Sequence, residues 1–222
     1  MALRNVNAGH WRAQARQVLA AAWLMVLLGL YGMAHAQTAS VDATVARFRA
    51  HFPMAPTILV STQAGDEAQQ RVRAMLSDTA RFDRQLHTSE ARKHPFAVRV
   101  GGHTSTPVCF IRWFDEDVEG FSAKDTLAHE LYHCVHQKEW AASISIEELL
   151  ADVHAAWLQA SSREEAHTIW TRVAALRSIR STDVAYRIAQ VDWFPQEIPG
   201  ENWPSFFQAQ SERLCRMLQA CE

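Results

Sequence analysis

The sequence predicts a mixed α+β domain in which a small sheet precedes a helical second half. Three short segments are rich in β-branched and apolar residues and are bounded by Pro or Gly, as strands usually are. These predicted strands are Pro56–Thr62, Pro95–Val100 and Pro107–Phe114. After Gly120 the apolar residues recur with a helical period. Strands first and helices afterwards favour a sheet that packs on helices.

The helices are predicted from apolar residues that recur every three or four positions. One helix, Asp66–Leu86, lies between the first two strands. The others follow Gly120, at Ser122–Gln137, Ser145–Ala160, Arg163–Ile179, Asp183–Val191 and Ser205–Gln219. The segment 194–204 contains three prolines and a glycine, so it is expected to be irregular.

The first 36 residues have the order of a secretory signal peptide. Three arginines precede an uncharged apolar run, residues 18–33, and the small residues 34–36 follow it. We predict cleavage after Ala36, which leaves one domain, residues 37–222, that is secreted or periplasmic. An uncleaved membrane anchor is the alternative, although the run is shorter than the roughly 20 residues that a spanning helix needs.

Removal of this leader changes the charge of the chain. The 22 Lys and Arg fall to 19 against 24 Asp and Glu, for a net charge of −5. Nucleic-acid-binding domains usually carry a basic patch, so this acidic balance argues against a nucleic-acid partner. Nothing in the remaining sequence indicates a membrane surface as a partner.

All four cysteines lie in the predicted mature chain: Cys109, Cys134, Cys215 and Cys221. An even number in an exported protein favours disulfides, and buried free thiols are the alternative. Cys134 lies on the apolar side of its helix, where Cys109 on the adjoining strand could meet it. We therefore expect the pairs 109–134 and 215–221, although sequence alone does not determine connectivity.

The helix 122–137 carries the chemical signal. Ser122 and Asp125 form a helix-start pattern related to the capping box. His129 and His133 lie one turn apart on the side away from the apolar stripe, as two ligands of one metal ion must. With Glu130 they form H-E-x-x-H, the pattern of zinc metallopeptidases, in which the glutamate takes a proton from the metal-bound water. A solvated polar helix face is the alternative.

A catalytic zinc ion needs a third protein ligand and one open position. His136 is on the same face, but two helical turns separate it from His129, about 10 Å along the axis. Glu139 is at the position where metzincins have their third histidine, but His136 replaces the glycine that turns the chain there. The third candidate is Glu148, on the next predicted helix.

The helix Ser145–Ala160 has an apolar stripe, and Glu148 and Asp152 project away from it, four residues apart. Glu148-Leu149-Leu150-Ala151-Asp152 resembles the E-x-x-x-D motif of the gluzincins, the thermolysin-like zinc metallopeptidases. The resemblance covers residues 125–155 and implies a compact, exported member of that family with a zincin-like fold and one zinc ion per chain.

The same resemblance implies roles for individual residues. His129, His133 and Glu148 would bind zinc, Glu130 would be the general base, and Asp152 would orient a ligand histidine, as outer carboxylates do. Two alternatives stay open for this helix. Glu148 is three residues after Ser145 and could close a capping box, and Glu147 would then be the ligand.

Substrate binding is indicated less directly. The family resemblance points to the strand 108–114 as the one that pairs with an extended substrate, with an ordinary core strand as the alternative. Tyr186, His154 and His167 are candidate donors to the developing oxyanion by residue type.

Two functions are consistent with these residues. The first is an exported zinc-dependent peptidase that acts on a peptide or protein substrate. The second is a metal-binding module of zincin fold without turnover. The glutamate at position 130 favours the peptidase, because a purely structural metal site has no use for a general base.

Overall fold

The computed structural model describes residues 40–100, 107–136, 143–180, 194–195 and 202–218. The chain divides into two units, Met1–Ala43 and Thr44–Glu222. The predicted leader lies outside the described residues, so the signal peptide, its cleavage and the domain boundary stay predictions. None of the helices in the described ranges has both the length and the hydropathy that a membrane span requires.

The described residues form seven helices and a three-stranded sheet, which confirms the α+β class. The strands are β1 (Thr57–Ser61), β2 (Phe96–Val100) and β3 (Val108–Arg112). The helices are α1 (residues 40–51), α2 (Glu67–Met75), α3 (Ala80–Arg92), α4 (Ala123–Val135), α5 (Ile144–Gln159), α6 (Arg163–Arg180) and α7 (Trp203–Leu218). The predicted helix 183–191 lies outside the described residues.

The prediction of one helix over Asp66–Leu86 is wrong, since the chain breaks there into α2 and α3. Asp66 begins α2 by accepting a hydrogen bond from the backbone N–H of Gln69 at 3.0 Å. Leu76 leaves the helical region with ψ 135° and ends α2. The Asp78 side chain then accepts from the N–H of Ala80, which begins α3. Short polar side chains of this kind favour helix starts over helix interiors.

The sheet has the order β1-β3-β2, with β3 parallel to β1 and antiparallel to β2. The strand expected from the family resemblance to bind substrate is therefore the central strand. All five residues of β3 are buried and pair on both sides, so its backbone has no free edge for a peptide. The alternative of a core strand is correct. Among the described strands, β1 and β2 each have an outer edge, and β2 is the one that borders the cleft described below.

An apolar cluster, a disulfide and a close helix contact support the sheet and α4. Side chains from α2, α3 and the sheet form a buried cluster on one side: Leu59, Val72, Phe82, Leu86, Val100, Val108 and Phe110. The predicted disulfide between Cys109 and Cys134 is present and joins β3 directly to α4. The pair 215–221 includes Cys221, which is outside the described residues. The fully buried Ala151 and Ala155 of α5 let α4 and α5 pack closely.

Candidate metal centre and cleft

Helix α4 begins with the predicted capping interaction. The Ser122 hydroxyl accepts from the N–H of Asp125 at 3.1 Å, and the Asp125 carboxylate accepts from the N–H of Ser122 at 2.9 Å. Arg172 and Gln159 also donate to this carboxylate, which ties α4 to α6 and α5. The start of the H-E-x-x-H helix is therefore held by three elements.

The polar side of α4 is not solvated. His129 and Glu130 are each only 6% exposed, because α5 covers that side of the helix. This burial excludes the alternative of an ordinary solvated helix face. Polar groups that are buried in this way need partners, and α5 supplies those of His129 through Asp152 and Glu148.

His129, His133 and Glu148 converge on one point, with one potential ligand atom from each residue within 4.8 Å of the others. The two Nε2 atoms are 3.2 Å apart. Glu148 lies across from them, with its carboxylate oxygens 3.2 Å from Nε2 of His129 and 3.6 Å from Nε2 of His133. Among the described residues this is the group of three that could hold a metal ion.

Each histidine uses its other ring nitrogen for a carboxylate. Asp152 lies 2.6 Å from Nδ1 of His129, and Glu147 lies 2.9 Å from Nδ1 of His133. A carboxylate oxygen can only accept, so both Nδ1 atoms carry the proton and both Nε2 atoms offer a lone pair in the neutral ring. This tautomer is the one that a metal ion between the two Nε2 atoms requires.

These contacts distinguish Glu148 from the other candidates for the third metal ligand. Ser143, and not Ser145, caps α5, so the capping role for Glu148 is wrong. Glu147, the fallback ligand, points to the outer nitrogen of His133. Its other oxygen is 3.6 Å from Nε2 of His136, so His136 is a neighbour of the group, as expected. Glu139 lies outside the described residues.

Arg177 on α6 contacts Asp152, the outer carboxylate of His129. The sequence patterns did not indicate this residue. Its Nε donates to Asp152 at 3.1 Å, its Nη2 to the other oxygen at 3.3 Å, and its guanidinium carbon lies 4.7 Å from the centre of the Phe121 ring. It is separated from Asp152 by 25 residues on another helix. No local spacing signal could have linked the two.

The charged side chains in and around the His-His-Glu group strongly shift one another's pKa values. Burial opposes a charge on His129, but Asp152 and Glu148 overcome it and raise the pKa of His129 to about 10. Burial would raise the pKa of Asp152, but Arg177 and His129 lower it to about 2. The pKa of Glu130 is raised by burial, against the opposing charges of His129 and His133. A metal ion would compete with the proton on His129, since a ligand imidazole must be neutral.

The group opens into a cleft of about 730 Å³. Its floor is formed by α4 and α5, with the His-His-Glu group and Glu130. The opposite wall is the end of α3 and the start of β2, residues 92–97, so the outer edge of the sheet borders the cleft. A volume of this size is typical of small-molecule and peptide sites.

Two of the three expected oxyanion donors lie elsewhere. His154 is fully buried on the other side of α5, where its Nδ1 faces the carbonyl of Ala128 at 3.3 Å. The ring of His167 packs against Phe194 and does not line the cleft. Tyr186 is outside the described residues. The basic run Arg92-Lys93-His94, which was not singled out from the sequence, lines the cleft instead.

No family model, curated protein or solved structure matches this chain significantly. The site is therefore characterised by its own chemistry. Two imidazole nitrogens and one carboxylate fit a divalent metal ion, and the cleft leaves the remaining side of the group open. The His-His-Glu group could hold a metal ion.

Proposed function

We propose that this chain is a zinc-dependent peptidase of the gluzincin type, in which His129, His133 and Glu148 bind the metal ion and Glu130 is the general base. The observation that carries the proposal is the position of Glu130. A buried carboxylate lies beside a His-His-Glu group at the floor of an open cleft. A structural zinc site is usually closed by four protein ligands and has no need of such a carboxylate.

Zinc is the ion that this donor set favours, because it accepts nitrogen and oxygen ligands in tetrahedral geometry. When bound, zinc lowers the pKa of a water molecule and polarises a carbonyl group. Asp152 and Glu147 hold the two imidazole rings in the required orientation. Arg177 in turn holds Asp152, so the loss of freedom on metal binding is small.

Peptide hydrolysis then follows from the residues of the chain. The Glu130 carboxylate takes the proton of the attacking water as its oxygen bonds to the scissile carbon. Glu130 returns this proton to the leaving nitrogen as the C–N bond breaks. The edge of β2 supports a peptide substrate, because an extended chain can pair with its free backbone groups along the cleft.

The decisive experiment compares the full chain with Glu130→Gln. Both are loaded with zinc, and metal content and hydrolysis of a mixture of internally quenched peptides are measured. We expect one zinc ion per chain in both proteins. Hydrolysis by the variant should be slower by about 10²–10⁴-fold, the usual contribution of a general base.

Glu119→Gln is the matched control, since Glu119 also lines the cleft but lies outside the metal-binding group. It should hydrolyse peptides at the parent rate. A parent that binds zinc but cleaves no peptide would favour the metal-binding module without turnover. A parent with no tightly bound metal would contradict both functions.

A further inference from the structure

Most charged side chains that line the cleft already have a partner or a proposed role. The acids of α4 and α5 that line it accept hydrogen bonds or face His129 and His133, except for Glu130, the proposed general base. Glu119 also interacts within the chain. The acids of α4 and α5 are Asp125, Glu130, Glu147, Glu148 and Asp152. A charge that is available to a substrate therefore has to be sought among the cations.

The arginines and the lysine that line the cleft differ in what holds them. Arg177 donates from two nitrogens to Asp152. Lys93 forms an ion pair with Glu116. Arg92 lines the cleft, is exposed, and has no hydrogen bond or ion pair with any residue that the structure describes. Its guanidinium donors are therefore available without the loss of an existing contact.

Arg92 lies where the cleft meets the outer edge of the sheet. It is the last residue of α3, and Lys93, in the left-handed conformation with φ 50°, turns the chain directly after it. Residues 95–97, at the start of β2, line the same wall of the cleft. Among the described strands β2 pairs only with β3, so an extended peptide can pair with its other edge. A peptide that is bound along β2 would lie beside Arg92.

A basic residue at this position also has an ordinary structural role. Arginine in the last turn of a helix interacts favourably with the partial negative charge at the helix end. That role stabilises α3 and is independent of any substrate. A role in substrate binding is distinguished from it by a dependence on the charge of the substrate.

We propose that Arg92 selects peptide substrates that carry an acidic side chain near the scissile bond, by donating hydrogen bonds from its guanidinium group to the Asp or Glu carboxylate. This preference rests on the proposed peptidase function and adds no chemical step to it. Parallel N–H donors of a guanidinium group match the two oxygens of a carboxylate, and the adjacent Lys93 adds positive charge to the same wall.

The size of the cleft limits where the acidic residue can be. The cleft has a volume of about 730 Å³, and Arg92 and the His-His-Glu group both line it. An extended peptide advances about 3.3 Å per residue. The acidic side chain therefore belongs to a residue within a few positions of the bond that lies over the His-His-Glu group.

The test uses the zinc-loaded full chain and a peptide that the parent cleaves, chosen from the quenched mixture and amidated at its C-terminus. Glu or Gln is placed in turn at each position near the cleaved bond, and kcat/KM is measured for each pair of peptides. At one position or more the parent should prefer Glu by about 10-fold. This is the low end for a hydrogen bond to a charged group, because Arg92 is exposed in the free chain.

Arg92→Gln should abolish the preference for Glu, mainly by lowering kcat/KM for the Glu peptide. Arg92→Lys, which keeps the charge but not the planar set of donors, should retain part of it. Arg92→Glu should reverse it, so that a peptide with Lys at the same position is cleaved faster than the Glu peptide. A role confined to the helix end would instead lower the free energy of unfolding of Arg92→Gln and leave the preference intact.

Arg99→Gln is the matched control, because Arg99 is an exposed arginine on β2 that does not line the cleft. It should keep the preference of the parent. Binding supplies a readout without turnover. In the zinc-loaded Glu130→Gln variant, fluorescence anisotropy should show tighter binding of the Glu peptide than of the Gln peptide, and adding Arg92→Gln should remove the difference.

The failures of the two proposals can be told apart. If the parent cleaves peptides without a preference for Glu at any position, or if Arg92→Gln keeps that preference, the role of Arg92 is wrong and the peptidase proposal stands. If the dependence on Arg92 appears only when the amide is replaced by a free C-terminus, the recognised carboxylate is the terminal one and the side-chain preference is wrong. A parent that cleaves no peptide would contradict the peptidase proposal and the substrate preference with it.

Discussion

The two sides of α5 hold buried histidines in opposite chemical environments. On one side Glu148 and Asp152 face His129 of α4, which lies between the two carboxylates. On the other side His154 is fully buried among aromatic rings, with ring centres 5.4 Å away for Trp203 and 5.7 Å away for Phe52. Its Nε2 has no hydrogen-bond partner in the part of the chain that the structure describes.

The consequence is a large difference in pKa between two buried histidine rings. Burial, with the nearby His51, lowers the pKa of His154 to about 3. For His129, Asp152 and Glu148 overcome the same burial effect and raise the pKa to about 10. Neighbouring carboxylates, and not burial, therefore decide which of the two histidines is suited to bind a positive charge.

Glu148→Ala should have the largest effect. It removes the anionic member of the His-His-Glu group, so zinc affinity should fall by more than the roughly 10–100-fold that loss of an outer carboxylate costs. Competitive titration with a chelator of known affinity measures this. His136→Ala and Glu139→Ala should leave zinc affinity nearly intact. If Glu139→Ala were severe and Glu148→Ala mild, a metzincin-like ligand set would replace the proposed one.

Removal of an outer carboxylate should have an intermediate effect. Asp152→Ala removes the carboxylate from Nδ1 of His129, and Glu147→Ala removes it from Nδ1 of His133, so we expect zinc affinity to fall by about 10–100-fold in each case. The same chelator titration applies.

Glu212→Ala is the control for these two variants, because Glu212 is an exposed acid on α7. It should bind zinc like the parent. If Asp152→Ala weakened zinc binding and Glu147→Ala did not, the contact between Glu147 and His133 would have no part in metal binding.

His154 should affect only the pH dependence of stability. Its pKa is 6.5 in the unfolded chain and about 3 in the folded one, so between these values only the unfolded state binds the proton. The free energy of unfolding should therefore fall by about 1.4 kcal/mol per pH unit as pH decreases below 6.5, from this residue alone. His154→Phe should remove this part of the slope.

Urea denaturation of both proteins between pH 7 and pH 5, with a chelator present, measures the difference. This range lies above the ordinary pKa values of Asp and Glu, and His51, whose pKa is also lowered by burial, is common to both proteins. If the free energies of unfolding of the parent and of His154→Phe changed in parallel with pH, His154 would not be the source of this slope. His129 contributes in the opposite sense and at higher pH, since its extra folded-state stability is lost as pH rises from 6.5 towards 10.

Much of the fold could be predicted because local patterns are strong here. The three strands have β-branched runs between breakers, and α4 and α5 have clear apolar stripes, so their bounds differ from prediction by three residues or fewer. The break between α2 and α3 was missed because its apolar period continues through Leu76. The helical start of the described chain, residues 40–51, was not predicted either.

The site residues also divide into those that local spacing predicted and those that it did not. His129, Glu130 and His133 are within one turn of one helix, so their common face follows from helix geometry. The proximity of Glu148 and Asp152 was expected only through a family resemblance, because it depends on how α5 packs on α4. Glu147, Arg177 and His94 come from three separate elements, and their spacing in the chain contains no sign of their contacts.

Local patterns were enough to predict most elements and the chemical types of their side chains. These include a helix with two histidines and a glutamate, a second helix with acids four residues apart, and a cysteine pair able to join strand to helix. Tertiary packing determines which strand is central in the sheet, which glutamate faces the two Nε2 atoms and which residues border the cleft. Periodicity places a residue on a face of its own helix or strand. What that face meets depends on long-range packing, which local spacing does not encode.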